Sequence, residues 1–319
     1  MDLSIIIPVY NEAQNIPILL DELQETLEFT GLSYEILAIE DGSQDETFAI
    51  LKQRMNQWRC LKVIRFRKNF GQTAALSAGF DLAEGDIIIT MDGDLQNDPR
   101  DIPSLIKKMR EGYDIVSGWR EKRQDPFISR RLPSSIANRI ISWVTKVNLH
   151  DYGCTLKAFK KEVAKNIRLY GEMHRFIPAI ASWMGVTIAE IPVNHRSRKF
   201  GRSKYGISRT VRVLLDLITV KFLLTYSTRP IHVFGLWGFL SGSAGLALAC
   251  VLTVQRLFFA VSLANRPILL LAILLIFIGI QFISMGLLGE LQVRTYHESQ
   301  GKPIYYIKEI LQWQKEDLK

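Results

Sequence analysis

The chain has 319 residues, a net charge of +8 and a hydrophobic share of 48%. That length suits about two domains with sizeable cores, and a mean hydropathy of +0.08 argues against a purely soluble enzyme. Cys60, Cys154 and Cys250 are odd in number and far apart, which excludes a disulfide scaffold and metal-type cysteine spacing and suggests a reducing compartment.

Met1-Asp2-Leu3 leads straight into a strand, with no secretory signal. The run Ser4 to Val9 has no polar alternation, as expected for a strand covered on both faces. Asn15 to Leu27 reads as a helix with Ile16, Leu19, Leu20, Leu23 and Leu27 on one stripe. Glu35 to Ile39 is the second strand. Ser43-x-x-Glu46 reads as a capping box opening a helix that runs to Met55. Leu61 to Phe66 is a third strand, Thr73 to Ala83 a helix and Asp86 to Met91 a fourth strand. A helix over Arg100 to Arg110 and a strand over Asp114 to Ser117 follow. Such alternation predicts a doubly wound, mainly parallel α/β sheet. Beyond Arg120 the pattern loosens: a polar stretch to Arg131, a helix over Ser134 to Val147, a short strand over Thr155 to Phe159, a helix over His174 to Trp183 and a strand over Thr187 to Val193.

Tyr205 to Thr228 is amphipathic and suits the membrane interface; an ordinary domain helix has the same periodicity. Val233 to Val254 carries no charge, and neither does Pro267 to Gly289. A span takes roughly 20 apolar residues, so both qualify. The short turn between them puts the two ends of the chain on one side, and the basic flanks keep that side cytoplasmic. The expected domains are 1–204 catalytic, 205–230 interfacial, 231–293 with two spans (about 233–257 and 267–291), and a cytoplasmic tail over 294–319. A basic run, Arg196, Arg198, Lys199, Arg202, Lys204, Arg209 and Arg212, has no acid within it. Next to membrane segments its natural partners are phosphates of lipid or substrate; no nucleic-acid motif is present.

The richest chemistry lies in Asp92-Gly93-Asp94-Leu95-Gln96. Two carboxylates and an amide sit where the fourth strand ends, the place where open α/β sheets bind ligands. Oxygen ligands of this kind suit a hard divalent cation. A surface Asp-Gly turn is the competing reading. The first strand ends in Pro8-Val9-Tyr10-Asn11-Glu12 and the second in Glu40-Asp41-Gly42-Ser43. Three parallel strands thus deliver polar groups to one rim. Tyr10 can face a base, Glu12 and Asp41 can accept base or ribose hydrogen bonds, and Asp92 with Asp94 can hold a metal.

In combination these segments resemble inverting family-2 glycosyltransferases with a GT-A nucleotide-sugar domain. Within them they look like the polyprenyl-phosphate glycosyltransferases, the group of dolichyl-phosphate mannose synthases and bactoprenol glucosyltransferases. The match covers essentially the whole chain, spans included. Glu40 departs from the Asp usual there, a conservative change. The resemblance implies that Pro8, Tyr10, Glu12, Asp41, Asp92 and Arg120 bind the nucleotide sugar, and that Asp92, Asp94 and Gln96 hold Mg²⁺ or Mn²⁺. It implies that Arg131, Ser135 and Asn138, with Arg198, receive the acceptor phosphate, and that Lys204, assisted by Arg198 and Arg202, closes over the diphosphate. It places Asp151 near the reacting carbon, where the residue could orient a hydroxyl, support positive charge or act as base; a helix cap is the plain alternative. Arg131 as a surface charge is likewise open. The implied reaction is inverting transfer of a hexose, glucose from UDP-glucose first, to undecaprenyl phosphate. GDP-mannose with dolichyl phosphate is the alternative, and a non-catalytic membrane scaffold is the alternative of another class. A processive synthase would need Q-x-x-R-W, and Gln312-Trp313 lacks the Arg; neither glycine fingerprint of P-loop or dinucleotide enzymes occurs. Two lone spans per chain favour a homo-oligomer.

Overall fold

The computed structural model describes residues 1–121, 138, 141–142, 145, 147–169, 173–182, 184–197, 231–259, 267–299 and 304–313. Arg131, Ser135, Arg198, Arg202, Lys204 and the amphipathic segment 205–230 lie outside them.

Strands β1 (Leu3–Val9), β2 (Tyr34–Glu40), β3 (Leu61–Phe66) and β4 (Ile87–Thr90) alternate with helices α1 (Ile16–Glu28), α2 (Thr47–Gln57) and α3 (Gln72–Leu82). A 3₁₀ turn (Pro99–Asp101) opens α4 (Ile102–Arg110), followed by β5 (Ile115–Trp119). Then come β6 (Lys157–Lys160), α5 (Lys161–Asn166), a second 3₁₀ turn (Met173–Phe176), α6 (Ile177–Ser182) and β7 (Ile188–Pro192). The sheet order is β7-β5-β6-β4-β1-β2-β3, with β8 (Ile307–Leu311) outside β3. β1 pairs in parallel with β2 and β4, β2 with β3, and β5 with β7. Only β6 and β8 run the other way among these strands.

The unalternated strands have the predicted cause. In β1, Leu3, Ile5, Ile7 and Val9 join a core with α1, α2 and α4. Ile6, between them, joins the opposite core with α3, α5 and α6. Both faces are covered, so Ile5 to Val9 run without a polar residue, and the one polar residue of the strand, buried Ser4, donates its hydroxyl to Glu35 (2.6 Å).

Three local expectations need correction. The helix after β2 starts at Thr47, and no side-chain bond caps it from Glu46. Ser43 Oγ instead accepts Asn11 N–H (3.0 Å), and Asp45 Oδ1 takes Thr47 N–H (3.0 Å). A side chain drawn to the neighbouring turn is unavailable as a cap. The helix expected over 174–183 is a 3₁₀ turn followed by one short α-helix. The segment assigned to a tail contains β8, which pairs with the outer edge of β3.

The chain divides into two compact units, Met1–Val220 with Pro303–Lys319, and Lys221–Lys302. In the second, α7 (Ile231–Phe259) and α8 (Pro267–Ser299) are each long and apolar enough to cross a membrane. Only 17% and 11% of their apolar windows is buried, so they are not the core helices of a soluble domain. They meet through small residues. A Cβ on Gly238 would lie 2.7 Å from Gly279 O, and one on Gly245 2.8 Å from Ala272 O. This is the close backbone approach that glycine permits between helices in lipid.

Candidate active site

The carboxyl ends of β1, β2, β4 and β5 lie at one end of the parallel part of the sheet. β6, antiparallel to β4 and β5, starts at that same end.

The β1–β2 half is built from crossed turns. Asn11 sits at φ 51°, a left-handed conformation that asparagine tolerates. Its Oδ1 accepts Gln44 N–H (2.8 Å). Glu12 N–H donates to Thr47 Oγ1 (2.9 Å), and Asn15 Nδ2 donates to Glu12 Oε2 (2.6 Å). Pro8, Tyr10 and Glu12 are half-buried along this edge. Asp41 is buried, 3% exposed. Its Oδ1 accepts Phe70 N–H (2.7 Å) and its Oδ2 accepts Gly71 N–H (2.9 Å). Burial pushes its pKa up to about 6, with the two N–H bonds opposing. Gly42 makes this approach feasible: its φ is +69°, and a Cβ would lie 2.6 Å from Asn69 N.

The β4 end carries the acidic turn. Leu95 has φ 63° with its side chain buried in the core. A bulky residue held in this region costs about 1–3 kcal/mol and persists only where its surroundings enforce it. The buried Leu95 side chain supplies that hold between Asp94 and Gln96. Asp94 is buried, and its Oδ1 accepts Gln96 N–H (3.2 Å). Asp92 N–H donates to Asn97 Oδ1 (3.1 Å), which also accepts Thr155 Oγ1 (3.0 Å). Gln72 Nε2 donates to Asp92 Oδ1 (2.8 Å). Gly71 and Gln72, adjacent at the start of α3, therefore contact Asp41 and Asp92. Burial, then the neighbouring Asp94, pushes Asp92 up to about 6. Two carboxylates close enough that one raises the other's pKa form a donor set whose repulsion a divalent cation would relieve. Among the described residues no group of three or more His, Cys, Asp or Glu converges on a metal position; the candidate set is two carboxylates and an amide.

The β5–β6 end carries a buried ion pair. Arg120 donates Nε to Asp151 Oδ2 (2.6 Å) and Nη2 to Asp151 Oδ1 (2.9 Å). Gly153 N–H also reaches Oδ1 (3.1 Å). Behind Asp151, Glu190 accepts the N–H of His150 (2.9 Å) and of Asp151 (3.0 Å). Asn138 Nδ2 donates to His150 O (2.7 Å). Lys157, 3% exposed at the start of β6, donates to Tyr152 O (3.3 Å) and Cys154 O.

The structure thus brings Pro8, Tyr10, Glu12, Asp41, Asp92, Asp94, Gln96, Arg120 and Asp151 to one rim, with Asn138 behind the Asp151 loop. It adds partners the sequence did not mark: Gln72, Asn97, Thr155, Lys157 and Glu190. His195 lies beside Gln96, Nε2 to Nε2 3.5 Å. Asn97 directly follows Gln96 and was the one legible from position. Arg196, assigned to the phosphate-facing run, instead braces the domain through Glu22 (2.6 Å) and Asp98 (2.7 Å).

A mainly parallel sheet with acids at the carboxyl ends of β1, β2 and β4 defines a GT-A-type glycosyltransferase. Residues 4–168 match Glycosyl transferase family 2, and the chain belongs to that family. The chain is 39% identical over 317 residues to a dodecaprenyl-phosphate galacturonate synthase of Rhizobium johnstonii, covering 97% of this chain and 93% of that one. It is 36% identical over 310 residues to an undecaprenyl-phosphate 4-deoxy-4-formamido-L-arabinose transferase of an Enterobacter species, with the same coverage, 97% and 93%. Among solved structures, glucosyl-3-phosphoglycerate synthase of Mycobacterium tuberculosis, in complex with Mn²⁺ and UDP-glucose, shares the fold. The TM-score is 0.55 at 15% identity, over 69% of this chain and 78% of that one. Mannosyl-3-phosphoglycerate synthase of Rubrobacter xylanophilus gives 0.56 at 15%, over 70% and 74%.

Proposed function

We propose that this glycosyltransferase moves a sugar from a nucleoside diphosphate to a polyprenyl phosphate at the cytoplasmic face of a membrane, with inversion. The observation that carries the reading is one rim bearing the Asp92–Asp94 pair and the Arg120–Asp151 pair, in a chain with two exposed apolar helices. Both near-full-length relatives are named for sugar attachment to a polyprenyl phosphate, which supports the acceptor. Donor binding falls to Pro8, Tyr10, Glu12 and Asp41, with Arg120 and Arg202.

Asp92, Asp94 and Gln96 would hold Mg²⁺ or Mn²⁺, which when bound neutralises charge on the leaving diphosphate. Asp94 is the buried anchor of that set. Arg131, Ser135, Asn138 and Arg198 receive the acceptor phosphate, and Lys204 closes on the diphosphate. A phosphate monoester has its second pKa near 6, so it arrives largely dianionic and no base must remove a proton from it. The pairing of Asp151 fits that economy. A carboxylate held on both oxygens by Arg120 and Gly153 is a poor base but a well-fixed negative charge. It is suited to orient a sugar hydroxyl or face positive charge at the anomeric carbon.

The membrane arrangement follows from the acceptor, whose lipid tail stays in the bilayer. β8 belongs to the same sheet as β1 to β7, so the chain leaves the catalytic unit into α7 and rejoins it after α8. That connectivity supports a hairpin of two spans with both termini cytoplasmic.

UDP-glucose is the first donor to test. The relatives favour a second reading of the same site, since their names carry galacturonate and 4-deoxy-4-formamido-L-arabinose. The test is transfer of radiolabel from a panel of uridine and guanosine diphosphate sugars into the organic phase, with undecaprenyl phosphate as acceptor and Mn²⁺ or Mg²⁺ present. Label should move from one donor and stop on chelation. No transfer from any donor, or transfer indifferent to chelator, overturns the reading.

A further inference from the structure

The strand that follows the second apolar helix reaches the rim by two routes. β8 covers the outer edge of β3, from Val63 opposite Leu311 to Phe66 opposite Ile307. The pairing continues into the next loop, where Arg67 N–H donates to Tyr306 O (3.1 Å). Side chains repeat the connection. Tyr305, 7% exposed, stacks on Phe66 (centroids 5.4 Å, planes 12° apart), and its hydroxyl donates to Asp81 Oδ2 (2.9 Å). Phe66 meets Phe70 edge-on at 5.7 Å, and Phe70 meets Tyr306 at 6.1 Å. Phe70 is the residue whose N–H fixes Asp41. The second route is charged. Arg65 bridges Glu309 on β8 (3.1 Å) and Glu40 on β2 (3.4 Å). Glu40 in turn accepts Ser43 N–H, and Ser43 Oγ accepts Asn11 N–H.

We propose that Tyr306 and Glu309 are positioning residues for the nucleoside half of the site: from β8 and the residue just before it, C-terminal to both apolar helices, they hold the loop and turn that place Asp41 and Asn11. The inference rests on the reading of that half as the nucleotide pocket. Its consequence is that the catalytic unit is completed by chain that follows the apolar hairpin, so residues 1–204 alone lack a support of their own donor site. Tyr306 is 64% exposed, so the contact of its ring with Phe70 contributes little to the core and its effect on the pocket can be read separately from folding.

The test uses the full chain in detergent with Mn²⁺. UDP and GDP are titrated calorimetrically into wild type, Tyr306→Ala, Tyr306→Phe and Glu309→Gln, and transfer kinetics are measured with the donor the wild type accepts. Tyr306→Ala should weaken nucleotide binding and raise donor KM roughly three- to tenfold, the range an aromatic pair is worth. Its kcat and acceptor KM should stay within about twofold of wild type, and Tyr306→Phe should restore donor KM. Glu309→Gln should shift in the same direction and serves alone if Tyr306→Ala does not fold. A variant that merely loosens the fold would lose kcat through its inactive fraction and leave donor KM unchanged; that result, or unchanged affinity in both variants, overturns the inference. Wild type that binds neither nucleotide overturns the nucleotide reading itself, and this inference with it.

Discussion

Asp41 and Asp151 are both buried carboxylates at the same end of the sheet, 3% and 2% exposed, yet their partners differ in kind. Asp41 is met by main-chain N–H groups of the loop after β3. Asp151 is met by a guanidinium, with the buried Lys157 ammonium bonded to the same loop. Neutral dipoles hold a carboxylate in place but leave its charge uncompensated, so burial dominates and Asp41 rises to about 6. A cation matches the charge as well as the geometry. The β1–β2 half of the rim can thus be tuned by loop position, whereas the β5–β6 half is fixed by ion pairing. The β4 turn lies between the two: Asp92 accepts the amide of Gln72 and is pushed up by burial and by the neighbouring Asp94.

The largest effect is expected at the acidic turn after β4, the proposed metal position. Asp94→Asn should lower transfer by roughly a thousandfold or more, about 4 kcal/mol in the transition state, while circular dichroism and the melting temperature remain near wild type. Activity within tenfold of wild type would remove Asp94 from the metal set.

Next in size is the ion pair. Asp151→Asn or Arg120→Met strands one buried charge, which costs about 3–5 kcal/mol. For a unit of this size that is a fall of roughly 6–20 °C in melting temperature. Arg120→Met with Asp151→Leu removes both charges and should recover part of the stability while remaining inactive. Stability losses that simply add would show that the two side chains are not coupled.

A third prediction concerns pH. The folded value of Asp41, about 6, lies above its ordinary 3.8. The folded state therefore binds this proton more tightly than the unfolded state, and stability falls as pH rises from about 4 to about 6. Two units correspond to at most about 3 kcal/mol. Asp92, pushed the same way, adds to the slope in metal-free protein. Melting temperatures of metal-free wild type should decline across that window, and Asp41→Asn should decline less. Equal slopes would mean that Asp41 titrates as an ordinary surface acid.

The same contrast explains what could be read from sequence. β1, β2 and β4 were legible because their central residues are buried on both faces and read as near-continuous apolar runs; β3 was legible from Leu61, Val63, Ile64 and Phe66 despite Lys62 and Arg65. Asp92, Asp94 and Asp151 were legible as acids in recognisable settings. Their partners were not: Arg120 is 31 positions from Asp151 and Gln72 is 20 from Asp92, and main-chain donors such as Gly71 N–H carry no residue signature at all. β8, Ile-Lys-Glu-Ile-Leu, is a half-exposed edge strand whose alternation over five residues is too short to stand out. The reversed direction of β6 depends on how the chain returns between β5 and Lys157, which no local pattern encodes. The capping box failed because Ser43 was drawn to a turn 32 positions away.

The smallest effect tests the middle of the rim. Gln72 Nε2 donates to Asp92 Oδ1 (2.8 Å) from the first turn of α3, a neutral amide on an acid that also faces Asp94. A hydrogen bond to a charged group contributes about 1.5–3 kcal/mol. If the amide only orients Asp92, Gln72→Ala should raise the Mn²⁺ concentration needed for half-maximal transfer by roughly tenfold and leave kcat at saturating metal nearly unchanged. Gln72→Glu places a third carboxylate there, and like-charge repulsion should push Asp92 further toward its protonated form. A cation would then bind against a competing proton, so the metal requirement of Gln72→Glu should ease as pH rises from 6 to 8, more steeply than in wild type. A metal requirement unchanged in both variants would mean that Asp92 takes its orientation from Thr155, Asn97 and the β4 backbone without the Gln72 amide.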